Sequence, residues 1–541
     1  MYNNHNNLKE SQHRLAAMKN SAWTSNKLFC MAMTLAVYSN AIFIIFFAYP
    51  SNCLTLTPGQ RIPSRKPRTS KLKSKSNLPT TTLLKDDNLA TLTPNIQEGG
   101  VQEKSQKHVK SLFDLPAVEN WGMQNGLKEH HLKTLYRIVM NTNAPPLHSH
   151  LHSSSSSSLG FAPPEDIPQG LQQQNQNPNR NLDINLDFIP LEERLLKADF
   201  PKKQMANLLS EFAYTCSVVR VEESKSESNG GYKFVIQLGS GKLVETVLIQ
   251  HERNNGDVRY TVCVSSQVGC AKKCSFCATG TMGLQAQLTS GEILEQVFLA
   301  KQYLASLPSS TRTRSSSSSK NHHQIRNVVF MGMGEPLDNY EEVHEALRGL
   351  THQCLFGFKA KHVTLSTVGA SAAKIRILAD EAPQISLALS LHSAIQESRE
   401  KLIPSASANP IPSLGDALDY HSAMSGRGAM LEYLLIDGVN DSDAEVEALA
   451  NFCKQRNENA NTNAAAAGGR GGGQVFVNLI PYNPTLAGDD FGYETPSDER
   501  VNAFHDRLKD LGVKSLVRWS SATGRDANGA CGQLVLNESM K

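Results

Sequence analysis

The stretch RYTVCVSSQVGCAKKCSFCATG, residues 259–280, starts as an apolar run (Arg259–Val264) and ends in a short loop carrying three thiols, Cys270, Cys274 and Cys277. Further apolar runs of strand length follow at Asn327–Met331, His362–Thr367, Ile385–Leu391, Ala429–Ile436 and Gln474–Ile480. Helical patterns lie between them, at Ser290–Leu307, Asn339–Leu350, Ala370–Glu381 and Asp441–Arg456, the first opened by a Thr289/Glu292 capping box. Strands alternating with crossover helices predict a parallel sheet whose ligand site lies at the strand C-termini. Six units fall short of a closed eight-fold barrel. The expected fold is therefore α/β, an open partial (βα)6 barrel over residues 244–541, long enough to bury its own core.

Upstream, Ser111–Met140 and Leu191–Ala213 each contain helical periodicity, and Glu222–Ile249 reads as strands joined at Asn229-Gly230-Gly231. Together they predict a small α/β accessory domain at 109–243, split by the polar tract 148–181; an RNA-binding role for it is implied only by the family resemblance described below. Within that tract HSHLH reads as low complexity rather than as a metal site. Pro308–Lys320 and Asn457–Gly473 read as expanded surface loops. Residues 78–108 read as a linker.

The first 77 residues read as an address. Leu28–Tyr49 is uncharged and mostly apolar, and RIPSRKPRTSKLKSKSN (Arg61–Asn77) is basic, Ser-rich and free of acids. A signal-like piece before a transit-like one predicts delivery to an organelle such as a plastid, with no stable membrane association of the mature form. A single signal-anchor helix and a cytoplasmic location are the alternatives. The chain has 541 residues and a net charge of 54 − 51 = +3, which excludes a histone-like electrostatic binder but not an RNA enzyme with a local basic surface. Its ten cysteines are too sparse for a disulfide scaffold.

Three thiols in a Cys-x3-Cys-x2-Cys loop point to a shared metal or cluster. Structural zinc sites and ordinary [4Fe–4S] carriers both use four protein ligands. Three ligands leave one iron open to substrate. A zinc loop borrowing Cys263 is the alternative.

The spacing, with Phe276 before the last thiol, resembles the radical S-adenosylmethionine (SAM) enzymes. Six ordered motifs narrow this further: CVSSQVGCAKKCSFCATG, VFMGMGEPLDN (329–339), VTLSTVG (363–369), LALSLHSA (387–394), IPYNP (480–484) and ACGQL (530–534). Together they resemble the RlmN/Cfr family of dual-specificity adenosine methyltransferases, over roughly 244–541. The chain departs from that pattern in its N-terminal extension, its inserts and a longer approach to the last cysteine, SSATGRDANGACGQL (520–534).

The resemblance implies one [4Fe–4S] cluster held by Cys270, Cys274 and Cys277. It implies SAM contacts from Gly334, Glu335, Ser366, Ser390, Leu391, His392 and Asn483. It further implies that Cys531 takes a methyl group from one SAM, and that a radical from a second SAM activates that S-methyl group to add to adenine C2. Cys263 then resolves the adduct by pairing with Cys531, and Glu245 acts as proton acceptor; without the resemblance, an exposed strand glutamate is the plainer reading. Adenine C2 lies between two electron-withdrawing nitrogens and is no nucleophile, so splitting the transfer in two makes chemical sense. Implied partners are large-subunit rRNA and tRNA, presented as an unstacked base, and an external flavodoxin- or ferredoxin-type electron donor; the enzyme is expected to be a monomer. Lys272 and Lys273 are candidate phosphate contacts. Rival readings are C8 methylation, a radical-SAM enzyme acting on a non-RNA substrate, and a non-enzymatic iron–sulfur or zinc module.

Overall fold

The structure is a computed structural model, and it describes residues 109–141, 190–224, 231–252, 258–307, 324–466, 473–519 and 529–536. The address segment, the HSHLH tract and the Ser-rich insert at 308–320 lie outside those residues. Among the described residues no helix is long and apolar enough to cross a membrane.

One ten-stranded sheet organises everything else: β1 (Ser217–Glu223), β2 (Gly231–Gln237), β3 (Leu243–Glu252), β4 (Val258–Cys263), β5 (Gln324–Phe330), β6 (Val363–Thr367), β7 (Ser386–Ser390), β8 (Met430–Leu435), β9 (Phe476–Pro481) and β10 (Ser515–Val517). Each strand lies beside its successor. From β4 to β10 every pairing is parallel, and β1 to β4 form an antiparallel meander. This is the expected α/β partial barrel, with one strand more than the sequence reading. At three residues, β10 is too short to leave a periodic trace.

Parallel strands covered on both faces read as continuous apolar runs, and β8 (Met-Leu-Glu-Tyr-Leu-Leu) is buried at every position but the first. The crossover helices are α5 (Ser290–Ser306), α6 (Tyr340–Thr351), α7 (Ala372–Glu381), α8 (Gln396–Leu402), α9 (Ile411–Ser425), α10 (Asp443–Ala466) and α11 (Asp498–Asp510), preceded in the chain by α1 (Leu115–Gln124), α2 (Glu129–Met140), α3 (Leu191–Lys197) and α4 (Lys202–Glu211). The box that opens α5 is complete: Thr289 Oγ1 accepts from the Glu292 N–H at 3.2 Å, and Glu292 Oε2 accepts from the Thr289 N–H at 2.9 Å.

The loop reading of Asn457–Gly473 is corrected, because α10 continues through Ala466. Alanine favours helix, Ala460 is buried, and Asn459 Nδ2 donates to Asp419 Oδ2 at 2.6 Å, so the segment has both propensity and packing.

Helix α5 also ties the upstream elements to the barrel. Glu295 is buried there and accepts from the N–H groups of Thr215 (2.9 Å) and Cys216 (2.7 Å), from Thr215 Oγ1 (2.9 Å) and from Ser111 Oγ. One residue on, Gln296 Oε1 accepts from the Ser265 N–H and Thr246 Oγ1, both at 2.8 Å. The meander is hydrogen-bonded into the barrel sheet, and the described residues belong to one compact unit.

Candidate active site

The thiol loop leaves the C-terminal end of β4 and is fastened on all sides. The Cys270 N–H donates to Gly283 O at 3.1 Å and the Ser275 N–H to Leu402 O at 3.0 Å. Thr485 Oγ1, just after the Pro-Tyr-Asn-Pro turn, donates to Phe276 O at 3.1 Å. The C-terminal tail closes the far side: the Ala278 N–H donates to Gly532 O at 2.8 Å, and Thr279 Oγ1 to Leu534 O at 2.6 Å.

Inside this frame lies a cavity of about 140 Å³. It is lined by Cys270, Cys274 and Cys277, by Gly334 and Glu335 after β5, by Ser366 on β6, by Ser390 and His392 at the end of β7, by Glu432 on β8 and by Cys531. Burial raises all three loop thiols, Cys270 to about 12. They share one cavity, yet among the described residues no three Cys, His, Asp or Glu side chains converge on a single ion.

Gly334 has φ +104°, and a Cβ there would stand 2.6 Å from Gln267 Cβ, so only glycine fits where the backbone lines the cavity. Its neighbour Glu335 is buried and takes the N–H groups of Leu337 (3.0 Å) and Val368 (2.9 Å). The hydroxyls of Ser366 and Ser390 stand 3.5 Å apart. His392 takes φ +58°, and its Nδ1 accepts from the Leu434 N–H at 2.9 Å. Burial, then Arg399, push its pKa down to about 3, so the ring is neutral and carries its proton on Nε2.

Four predicted site residues do not line this cavity: Leu391, Asn483, Glu245 and Cys263. Leu391 is fully buried, and its N–H donates to Glu432 O at 3.0 Å. Asn483 is buried with an Nδ2 that finds no partner among the described residues. Glu245 is fully buried rather than exposed; it stands 3.1 Å from Lys233 Nζ, and burial raises its pKa against the pull of that lysine.

Cys531 also borders a second cavity, of about 470 Å³, which Cys263 shares. Both are free thiols. Burial raises Cys263, and Cys531 adds to the effect. Cys531 is exposed at the cavity rim, yet desolvation of its thiol by the groups packed around it, then the Glu432 carboxylate, push it up to about 11, with Arg518 pulling the other way. The sequence reading missed Glu432, whose Oε2 accepts from Asn478 Nδ2 at 2.5 Å, and Arg518. The available signal was a glutamate inside the apolar run LEYLL (431–435), where a strand covered on both faces has no other reason to carry charge. Lys272, named as a candidate phosphate contact, lines the first cavity and pairs with Asp338 at 2.9 Å.

Among solved structures, a radical SAM methyltransferase from Sphaerobacter thermophilus matches 79% of this chain and 99% of its own, at 31% identity and a TM-score of 0.56. Fold and site thus define a radical SAM methyltransferase. No protein-family model matches the chain. Ribosomal RNA large subunit methyltransferase N of Nitrosopumilus maritimus is 36% identical over 341 residues, 62% of this chain and 86% of the relative. A probable dual-specificity RNA methyltransferase RlmN of a Synechococcus species is 38% identical over 323 residues, 60% and 80% respectively. The chain belongs to the RlmN family of dual-specificity RNA methyltransferases.

Proposed function

We propose that the protein methylates C2 of an adenosine in large-subunit rRNA and in tRNA, carrying the methyl group on Cys531 and releasing the product with Cys263. The observation that carries this reading is the position of Cys531, whose side chain borders both cavities while Cys263 borders the second alone. A residue that collects a group in one chamber and delivers it in another has to face both.

The first cavity suits a [4Fe–4S] cluster and SAM. Three free thiols line it, the number of protein ligands that leaves one iron of a [4Fe–4S] cluster open. Cys270, Cys274 and Cys277 would hold the cluster. Glu335 would face the cationic amine of SAM, with Gly334, Ser366, Ser390 and His392 around it; Leu391 and Asn483 do not line the cavity, and the unpartnered Asn483 Nδ2 is the donor that would turn toward SAM. When bound, cluster and SAM supply one-electron cleavage chemistry and a transferable methyl group. The protein's part is to shed the Cys531 proton, hold the methylated sulfur, and bring Cys263 to the adduct. Glu245, kept dry and beside Lys233, is proposed as the acceptor of the C2 proton.

An external flavodoxin- or ferredoxin-type donor, a monomeric state, an RNA-binding role for 109–243 and organelle addressing by residues 1–77 belong to the same proposal. A fluorescent fusion of residues 1–77 that stays diffuse in the cytosol defeats the addressing part. The central experiment incubates anaerobically reconstituted protein with deproteinised rRNA and tRNA and analyses the nucleosides by mass spectrometry. 2-Methyladenosine is expected. 8-Methyladenosine would move the reaction to the Cfr type, and unmodified RNA beside SAM cleavage would point to a non-RNA substrate.

A further inference from the structure

The second cavity holds more than two thiols. One wall comes from β2, β3 and β4, the other from β10 and the tail, so it opens between the two ends of the parallel run. Buried apolar side chains, Val247 and Leu534 among them, line it together with Cys263. Cationic groups reach it from both walls: Arg259 from β4 and Arg518 from the residue after β10. Both guanidiniums lie close enough to His251 on β3 to help burial push its pKa down to about 4. The charge of Arg518 extends to Cys531 as well. Beside Arg518 stands Trp519, an indole left 42% exposed although it lines the cavity.

An RNA base that reaches the thiols must leave its stack, and the neighbour it leaves behind loses a stacking partner. An exposed indole at the rim of a cavity with cations on both walls supplies a new one, and the guanidiniums suit the phosphates on either side of that nucleotide. We infer that Trp519 is a stacking platform for the RNA nucleotide adjoining the adenosine that reaches Cys531 and Cys263, with Arg518 and Arg259 facing its phosphates. This rests on the RNA reading above. Trp519 touches substrate without touching the reacting carbon, so it sets affinity and flanking-base tolerance and leaves the methylation of Cys531 untouched.

The test compares Trp519→Ala and Trp519→Phe in the full chain, using a fluorescently labelled transcript of a large-subunit rRNA fragment with an unpaired adenosine. Trp519→Ala should weaken binding about 5-fold or more, since base–aromatic stacking is worth roughly 1–3 kcal/mol per base, and Trp519→Phe should recover most of it. In unlabelled RNA titrations the tryptophan emission of the wild type should be quenched, and that quench should vanish in both variants. The mass increment of Cys531 on incubation with SAM, which needs no RNA, should match wild type in both variants. Equal RNA affinity for wild type and Trp519→Ala overturns the inference while the RNA reading stands. Loss of Cys531 methylation in Trp519→Ala also overturns it, by making the residue a prop for the thiol site. Wild-type protein that neither binds nor methylates RNA removes the RNA reading and this inference together.

Discussion

The two cavities that meet at Cys531 are built in opposite ways. Nearly every wall of the first comes from a strand C-terminus or the loop that follows it, and its thiol loop is held by main-chain hydrogen bonds to the tail, to α8 and to Gly283. The second is made from what the partial barrel leaves open: an antiparallel meander on one side, a three-residue edge strand and the tail on the other. A fixed chamber suits a group that must be held in one geometry, since misplacement of a reacting atom by about 1 Å can cost 100-fold in rate. An opening between sheet ends suits a macromolecule, which brings only one base to the thiols. Met331, Ile480 and Leu534 border both spaces as well, and function then depends on Cys531, the thiol among these shared residues.

The sharpest break in this comparison is to empty the first chamber. Cys270→Ala, Cys274→Ala or Cys277→Ala should each abolish SAM cleavage, followed as 5′-deoxyadenosine, with loss of the cluster absorbance. Retained cleavage in any of them would mean that another residue ligates the cluster. Next comes the shared wall. Cys531→Ala should bind the cluster but never gain the methyl increment, whereas Cys263→Ala should gain it and then stall as a covalent protein–RNA complex. That complex should survive denaturation and disappear with ribonuclease; trapping by Cys531→Ala instead would reverse the two roles.

Smaller effects sharpen the contrast. Gly334→Ala forces a side chain into a left-handed position 2.6 Å from Gln267, so it should cost about 1–3 kcal/mol in denaturant unfolding and depress SAM cleavage while sparing RNA binding. Unchanged cleavage would show that the first chamber is less rigid than its hydrogen bonds imply. The smallest change concerns charge. Glu432 holds the Cys531 thiol up, so Glu432→Gln should move the midpoint of its alkylation-versus-pH curve below about 11, read by mass spectrometry of the tail peptide. The sign follows from removing a negative charge beside a group that ionises to an anion. An unmoved or raised midpoint would separate Glu432 from the thiol.

The first chamber was largely legible in the chain. Cys270, Cys274, Cys277, Gly334, Glu335, Ser366, Ser390 and His392 all stand at or just after strand ends, where the alternation of strands and helices predicts a ligand site, and all border one cavity. Glu245 was harder. Its burial and its lysine depend on the meander register, in which Glu245 opposes Val235 while Lys233 opposes Val247, two residues along on the same sheet face. Helix α10 was misread at its end because an Asn/Ala-rich tail looks like a loop until Asp419 and a buried position for Ala460 are present to hold it.

What the sequence determined by itself is local: the strand and helix rhythm, the capping box at Thr289, the thiol spacing and the glycines at sharp turns. Each rests on neighbours a few residues away, where chain geometry leaves little choice. Only the tertiary structure decided how distant pieces meet. Glu432 stands opposite Asn478 because β8 and β9 pair in that register. Val247 stands opposite Cys263 because β3 and β4 do. Arg518 and Trp519 reach the cavity of Cys263 because the partial barrel stops one short strand after β9, and the space between its ends is bridged by packing that no local pattern encodes.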